Sequence, residues 1–244
     1  MANGFDPRAT ASPQPTTVGR DSVALDAGLR SHMLSVYNYM ASGVLLTGIV
    51  AYGLALTGVA QTIFLEAGIL KYVVLFSPLI MIFFLMARMG KMSTGGLQAF
   101  FWSFATVMGV SMSMIPLIYS GGSIAATFFA TSAAFVSLSL WGYTTKKDLS
   151  AFGTFLIMGL VGLIVAMIAN AFIRSDTMNM VISFIGVLLF AGLTAYDTQK
   201  IKSVYFQVAG SDMLGKAAIL GALTLYLDFI NMFQFLLSFM GSRD

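Results

Sequence analysis

The chain of 244 residues contains no cysteine, which excludes disulfides, thiolate metal sites and cysteine nucleophiles. It has one histidine, His32, and one glutamate, Glu66. A zinc-protease helix with two histidines is therefore excluded, and a serine–histidine pair would depend on His32 alone. Charged residues are also scarce, at 9% against about 25% in an average soluble domain. The basic residues form no dense patch, so nucleic acid is not an expected partner.

Apolar residues make up 58% of the chain, and the mean hydropathy is +0.87. Seven segments have about the 20 apolar residues that a helix needs to cross the bilayer core. They are Val36–Leu56, Tyr72–Ala87, Leu97–Tyr119, Ile124–Tyr143, Ala151–Phe172, Met178–Tyr196 and Ala217–Met240. Helices are expected because every backbone polar group must be satisfied inside lipid. The sequence thus predicts an all-α, multi-pass membrane protein, a bundle of seven transmembrane helices with the lipid bilayer as its main partner.

The first thirty residues are polar and rich in proline, serine, threonine and alanine. They contain no apolar run, so we expect no cleavable signal peptide. The prediction is a flexible N-terminal tail over residues 1–30, followed by a transmembrane domain over residues 31–244.

Basic residues between the predicted spans alternate in number from one side of the membrane to the other. One side carries Arg8, Arg20, Arg30, Arg88, Lys91, Lys146, Lys147, Lys200, Lys202 and Lys216. The other side carries Lys71, Arg174 and Arg243. By the positive-inside bias, the N-terminus is predicted to be cytoplasmic and the C-terminus to lie outside.

Two aspartates stand out because the other predicted spans contain no acid. Asp228 lies at the centre of the last apolar segment, and Asp197 lies at the end of the preceding one. A carboxylate at the centre of a membrane helix costs roughly 2.5–3.5 kcal/mol on insertion scales. Acids in such positions usually serve function and face the protein interior or a wet cavity.

Thr224, Asp228 and Asn231 follow one another at i, i+4 and i+7, so they share one face of the last helix. If this face meets Asp197, two carboxyl groups compete for one location and hold a proton between them. Loss of that proton would leave two like charges that push the helices apart, which makes a pH-gated element. The alternative is a single neutral Asp228, hydrogen-bonded to Asn231 or to a backbone carbonyl.

The depth of the two acids decides between these interpretations. Asp228 lies about eleven residues into its span, roughly 16 Å along the helix axis, whereas Asp197 lies near the membrane boundary. They meet only if the sixth helix continues through residues 200–207 or if the seventh is tilted. Arg88, at the end of the second span, is either a cation that pairs with Asp197 or an ordinary positive-inside anchor.

Two strings of residues resemble the signatures of the Bax inhibitor-1 family of transmembrane Bax inhibitor motif proteins. They are Ala195-Tyr196-Asp197-Thr198-Gln199-Lys200-Ile201 and Leu225-Tyr226-Leu227-Asp228-Phe229-Ile230-Asn231. Lys146-Lys147-Asp148-Leu149 after the fourth span also fits, and the resemblance covers roughly Asp26 to the C-terminus.

The resemblance implies a seven-helix bundle with the last helix surrounded by the others, in a bacterial inner membrane. It implies a pH-sensitive calcium leak with no enzymatic activity and no cofactor, in which calcium ions and protons are the partners. The shared-proton sensor maps onto Asp197 and Asp228, and the family's latch arginine maps onto Arg88. Because calcium prefers six to eight oxygen ligands, two carboxylates predict only weak calcium binding at Asp197 and Asp228.

Three other functions remain open on the sequence. The family's name implies a non-transporting regulator of membrane proteases or of a stress or cell-death response, with a membrane-protein partner. A proton-coupled transporter would also use intramembrane acids. An intramembrane aspartyl protease would need a Gly-x-Gly-Asp motif, and Leu225-Tyr226-Leu227-Asp228 lacks both glycines.

Overall fold

Seven long helices, numbered α1 to α7 along the chain, account for the seven predicted apolar segments. They are Thr17–Leu56, Leu70–Arg88, Thr94–Met112, Gly121–Thr144, Ser150–Ile173, Asp176–Val208 and Leu214–Met240. The computed structural model describes the backbone of residues 17–66 and 68–242 and the side chains of residues 25–66 and 68–242. Within these ranges there is no β-strand, and seven helices are long and apolar enough to cross a membrane. The prediction of an all-α, seven-helix membrane protein is confirmed.

The largest differences from the predicted boundaries are at α1 and α6. Helix α1 begins at Thr17, so the part of the predicted tail from Thr17 to Arg30 is helical, and Leu29 is buried in the core. The domain boundary predicted at residue 30 therefore falls inside a helix. Residues 1–16, together with Arg243, lie outside the described residues. Helix α6 continues twelve residues beyond the predicted end at Tyr196, to Val208.

Short polar or glycine-containing turns separate the helices. Ser93, Ser120 and Ser175 precede α3, α4 and α6, and each serine hydroxyl accepts a hydrogen bond from the backbone amide three residues later. These caps satisfy amides that a helix start leaves unpaired. Gly58 and Gly210 follow the ends of α1 and α6 with φ of +78°, a conformation that glycine adopts without steric cost.

Helix α7 occupies the centre of the bundle. It packs against α1, α3, α4 and α6, and 61% of its most apolar 18-residue window is buried. By contrast, only 11% of the corresponding window is buried in α2 and in α5, which lie at the periphery against α3 and α6. The expected central position of the last helix is confirmed. Its neighbours shield its polar atoms from lipid, as an intramembrane carboxylate requires.

The outer helices present large apolar side chains outward. Examples are Phe76 and Phe83 on α2 and Phe155 and Phe172 on α5, each more than half exposed. In a water-soluble protein such a surface would be an aggregation hazard, whereas in a bilayer it is the expected contact with acyl chains.

Candidate functional site

The structure brings Asp197 and Asp228 to the same level of the bundle. Helices α6 and α7 run antiparallel along much of their lengths, with the rings of Phe190 and Phe235 stacked 5.8 Å apart on one side of the acids. On the other side Gly221 faces Ile201. These two contacts bracket the acids, so the register of the helix pair places the two side chains opposite each other.

The extension of α6 makes this meeting feasible. Asp197 lies eleven residues before the end of α6 at Val208, and Asp228 lies fourteen residues after the start of α7 at Leu214. At 1.5 Å per residue, both acids are about 17–21 Å from the connecting turn. Asp197 is therefore not at the end of its helix, as the apolar run alone suggested, but well inside it.

The two carboxyl groups lie at hydrogen-bonding distance from each other. Asp197 is 9% exposed and Asp228 is 4% exposed, and the Oδ2 atom of Asp228 has no hydrogen-bond partner in the described structure. The nearest charge that acts on Asp197 is the ammonium of Lys200, one helical turn further on and exposed. Two carboxyl oxygens can form a hydrogen bond only if one of them carries a proton.

Thr224 and Asn231 share the face of Asp228 but do not bond to it. The Thr224 hydroxyl donates to the carbonyl of Leu220 at 3.1 Å, and the Asn231 amide donates to the carbonyl of Leu227 at 2.8 Å. Both side chains are therefore occupied by their own helix. The hydrogen bond between Asn231 and Asp228, one of the alternatives that the sequence offered, is not formed in this structure.

Arg88 is not near the aspartate pair in this conformation. It ends α2, is exposed, and its guanidinium carbon lies 5.8 Å from the ring centroid of Phe84. Within residues 25–66 and 68–242 it forms no ion pair. The structure thus joins two of the five predicted site residues, Asp197 and Asp228, and leaves Arg88 apart.

A chain of buried hydroxyls next to Asp197 was not anticipated from the sequence. The hydroxyls of Tyr37 and Ser139 are 2.6 Å apart, those of Ser139 and Thr198 are 2.8 Å apart, and Thr198 donates to the carbonyl of Thr194 at 2.7 Å. Thr198 directly follows Asp197, so the chain ties α1 and α4 to the acid-bearing turn of α6. The only available signal was the position of Thr198 inside the Tyr-Asp-Thr-Gln string.

A second buried contact fixes α7 beside Asp228. The hydroxyl of Tyr226 lies 2.6 Å from that of Thr47 on α1, and Thr47 donates to the carbonyl of Ala105 on α3 at 2.9 Å. Because the Thr47 proton is committed to Ala105, Tyr226 is the donor to Thr47. The Tyr226 ring also packs edge-on against Phe101. Helices α1, α3 and α7 are therefore joined two residues before Asp228.

The donor set available to a metal ion is small. In the described part of the chain no group of three or more histidine, cysteine, aspartate or glutamate side chains could hold one. His32 is buried, its ring lies tilted 5.4 Å from that of Tyr205, and its Nε2 atom has no hydrogen-bond partner among the described residues. The arrangement brings two carboxyl groups together, and the described residues supply no third acidic, histidine or cysteine side chain to complete a metal site there.

Comparison with known proteins agrees with this architecture. The family model described as "Inhibitor of apoptosis-promoting Bax1" matches residues 29–244. The chain is 43% identical to the protein RP147 of Rickettsia prowazekii (strain Madrid E) over 229 residues, covering 93% of this chain and 96% of that one. It is 44% identical to a protein of Caulobacter vibrioides over 235 residues, with 92% and 93% coverage. It is 40% identical to the "Inner membrane protein YbhL" of Escherichia coli (strain K12) over 219 residues, with 89% and 94% coverage.

The match to the family model runs from Leu29, within α1, through the end of α7 and includes both aspartate-bearing helices. With seven apolar helices and a buried acid pair between the last two, the chain belongs to the Bax inhibitor-1 family of multi-pass membrane proteins.

Proposed function

We propose that this protein is a calcium-permeable leak channel of the bacterial inner membrane, held closed by a proton shared between Asp197 and Asp228. The observation that carries the proposal is the contact of two buried carboxyl groups between α6 and the central helix α7. The name of the Escherichia coli relative, an inner membrane protein, supports the location.

The shared proton acts as the closing device. Two carboxylates at one buried location repel each other when both are ionised, so the pair retains one proton and a hydrogen bond while the helices are together. A rise in pH removes that proton, and the repulsion drives α6 and α7 apart. Because α7 contacts α1, α3, α4 and α6, its displacement loosens the centre of the bundle rather than its edge.

Calcium is the proposed ion because the buried polar side chains of α4, α6 and α7 offer only oxygen atoms. Besides the two carboxyls, the hydroxyls of Thr127 and Thr131 are fully buried on α4 and make no hydrogen bond in the described structure. They lie on a helix that packs against both acid-bearing helices. Calcium takes six to eight oxygen ligands, so a path with two carboxylates and a few hydroxyls gives weak, transient binding, which suits passage down a gradient.

Arg88 is proposed as a latch for a conformation other than this one. Its guanidinium forms no ion pair among the described residues and is therefore available to Asp197. Such a pair would require α2 and α6 to approach each other. Replacement of Arg88 by glutamine is expected to raise the leak at high pH, where an ionised Asp197 could accept the guanidinium, and to leave it unchanged at low pH. An unchanged leak at high pH in Arg88→Gln would remove the latch from the mechanism.

The test is calcium flux through the purified protein in liposomes that contain a calcium-sensitive dye. We expect influx above that of protein-free liposomes, and a larger influx at higher internal pH. Absence of flux in sealed liposomes at every pH would overturn the channel. A membrane protein that co-purifies in stoichiometric amount with the inactive chain would then favour the regulatory role instead.

A further inference from the structure

A groove of about 930 Å³ runs along the outside of the bundle between α1 and α4. Its floor is formed by buried apolar side chains, namely Met40, Phe135 and Phe229. Its rims, which include Leu45 and Val136, are more than half exposed. The groove therefore opens toward the bilayer and is shaped to take an elongated apolar group from it.

The groove runs from the headgroup level into the hydrocarbon core of the membrane. On α1 it extends from Arg30 to Tyr52, which is about 33 Å of helix at 1.5 Å per residue. The hydrocarbon core of a bilayer is about 30 Å thick. The part of the groove from Val36 to Tyr52, about 24 Å, therefore lies within the hydrocarbon and is long enough for an acyl chain, while the part before Val36 reaches the headgroups.

The end of the groove at Arg30 is positively charged. Arg30 is exposed, lies six residues before the apolar run that begins at Val36, and forms no ion pair in the described structure, not even with Asp26 one turn earlier. That offset of about 9 Å places its guanidinium at the level of the lipid headgroups.

A second cation reaches the same end of the groove from α6. The ammonium of Lys202 lies 5.0 Å from the ring centroid of Tyr143, whose side chain lines the groove, and donates to the Tyr143 carbonyl at 2.9 Å. The rings of Tyr205 and His32 lie 5.4 Å apart, three residues after Lys202 and two residues after Arg30. Both cations therefore lie at the same end of the bundle.

We propose that the α1–α4 groove is a binding site for an anionic phospholipid of the surrounding bilayer, with an acyl chain between the helices and the phosphate at Arg30. An unpaired guanidinium at headgroup depth is a strong donor to a phosphate. A lipid with net negative charge is preferred because a zwitterionic headgroup brings its own cation to a site that already has two. The apolar floor supplies the contact area, and the charged end selects the headgroup.

Native mass spectrometry of the detergent-solubilised full chain, with equal amounts of phosphatidylglycerol and phosphatidylcholine added, measures this preference directly. We expect phosphatidylglycerol to be retained over phosphatidylcholine, and Arg30→Gln to lower the ratio about fivefold, the effect of one basic residue at an anionic surface. The control Lys146→Gln removes an exposed loop cation at the same end of the bundle and leaves the ratio unchanged.

A second variant tests the acyl-chain part of the site without altering charge. Ala41 lines the groove and is exposed, so the indole of Ala41→Trp fills the α1–α4 groove from its rim. This variant is expected to retain no phosphatidylglycerol. An elution volume in size-exclusion chromatography equal to that of the wild type will show that the Ala41→Trp variant is folded. Equal retention of both lipids by the wild type would overturn the proposal. So would the same loss in Arg30→Gln and Lys146→Gln, or full retention by folded Ala41→Trp.

Discussion

Replacement of Asp228 by asparagine isolates the charge on the central helix while keeping the shape of the side chain. In the wild type, loss of the shared proton places two negative charges in contact in a buried site. For unit charges about 4 Å apart at an effective dielectric constant of about 20, the repulsion is about 4 kcal/mol. Because each 1.4 kcal/mol is a factor of ten, this repulsion shifts the ratio of open to closed protein by up to about a thousandfold.

Asparagine cannot ionise, and its amide can still donate to the Asp197 carboxylate. The variant is therefore expected to behave as the protonated protein at every pH. In calcium-dye liposomes assayed from about pH 6 to about pH 8, the wild-type flux should rise with pH as the pair loses its proton, while the flux of Asp228→Asn stays low and flat. The flux rises with pH because loss of the proton opens the bundle and its return closes the bundle.

Asp148→Asn is the matched control, because it makes the same change in a carboxylate of the loop before α5. Hydrogen bonds from the side chain and the backbone amide of Ser150 hold the pKa of Asp148 below its usual value, so this loop carboxylate stays ionised through the neutral range. Its replacement should leave the pH response of the flux intact. If Asp228→Asn keeps the wild-type response, or if Asp148→Asn abolishes it, the reasoning about the shared proton is refuted.

Two further predictions concern the packing that holds the acids in place. Gly142→Ala should lower the free energy of unfolding by about 1–3 kcal/mol, because the added methyl group overlaps the backbone of Ala195. The control Gly162→Ala should be neutral or slightly stabilising, because its methyl group meets nothing within 4 Å. Equal melting temperatures for the two variants would contradict the close approach of α4 and α6. Tyr226→Phe should cost about 1–3 kcal/mol by removing the donor to Thr47, and a double-mutant cycle with Thr47→Val that shows no coupling would argue against this bond.

The bundle was predictable because its helices are encoded locally. Each apolar run in the sequence became one helix, since hydrocarbon tolerates no other way of pairing the backbone. The exceptions were the first part of α1, which begins at Thr17, and the last part of α6, where Lys200 and Lys202 lower the hydropathy. Ile201 and Tyr205 on the inner face are buried and carry the helix onward to Val208. A hydropathy threshold averages the two faces and therefore ends the helix too early.

The site was predictable only in part. Asp197 and Asp228 could be identified as unusual from sequence because acids are rare in apolar runs, but their meeting depended on the length of α6. The hydroxyl chain from Tyr37 through Ser139 to Thr198 joins residues far apart in sequence, and no local pattern specifies such pairings. Conformation-dependent partners such as that proposed for Arg88 are not encoded in the spacing of residues at all.

The most direct test of the account is the separation of the Asp197 and Asp228 carboxyl oxygens in experimental structures determined at about pH 6 and about pH 8. A shared proton predicts contact at hydrogen-bonding distance at the lower pH and separated carboxylates, with α7 displaced from α6, at the higher pH. The same contact at both values, in a protein whose calcium flux nevertheless increases with pH, would contradict it.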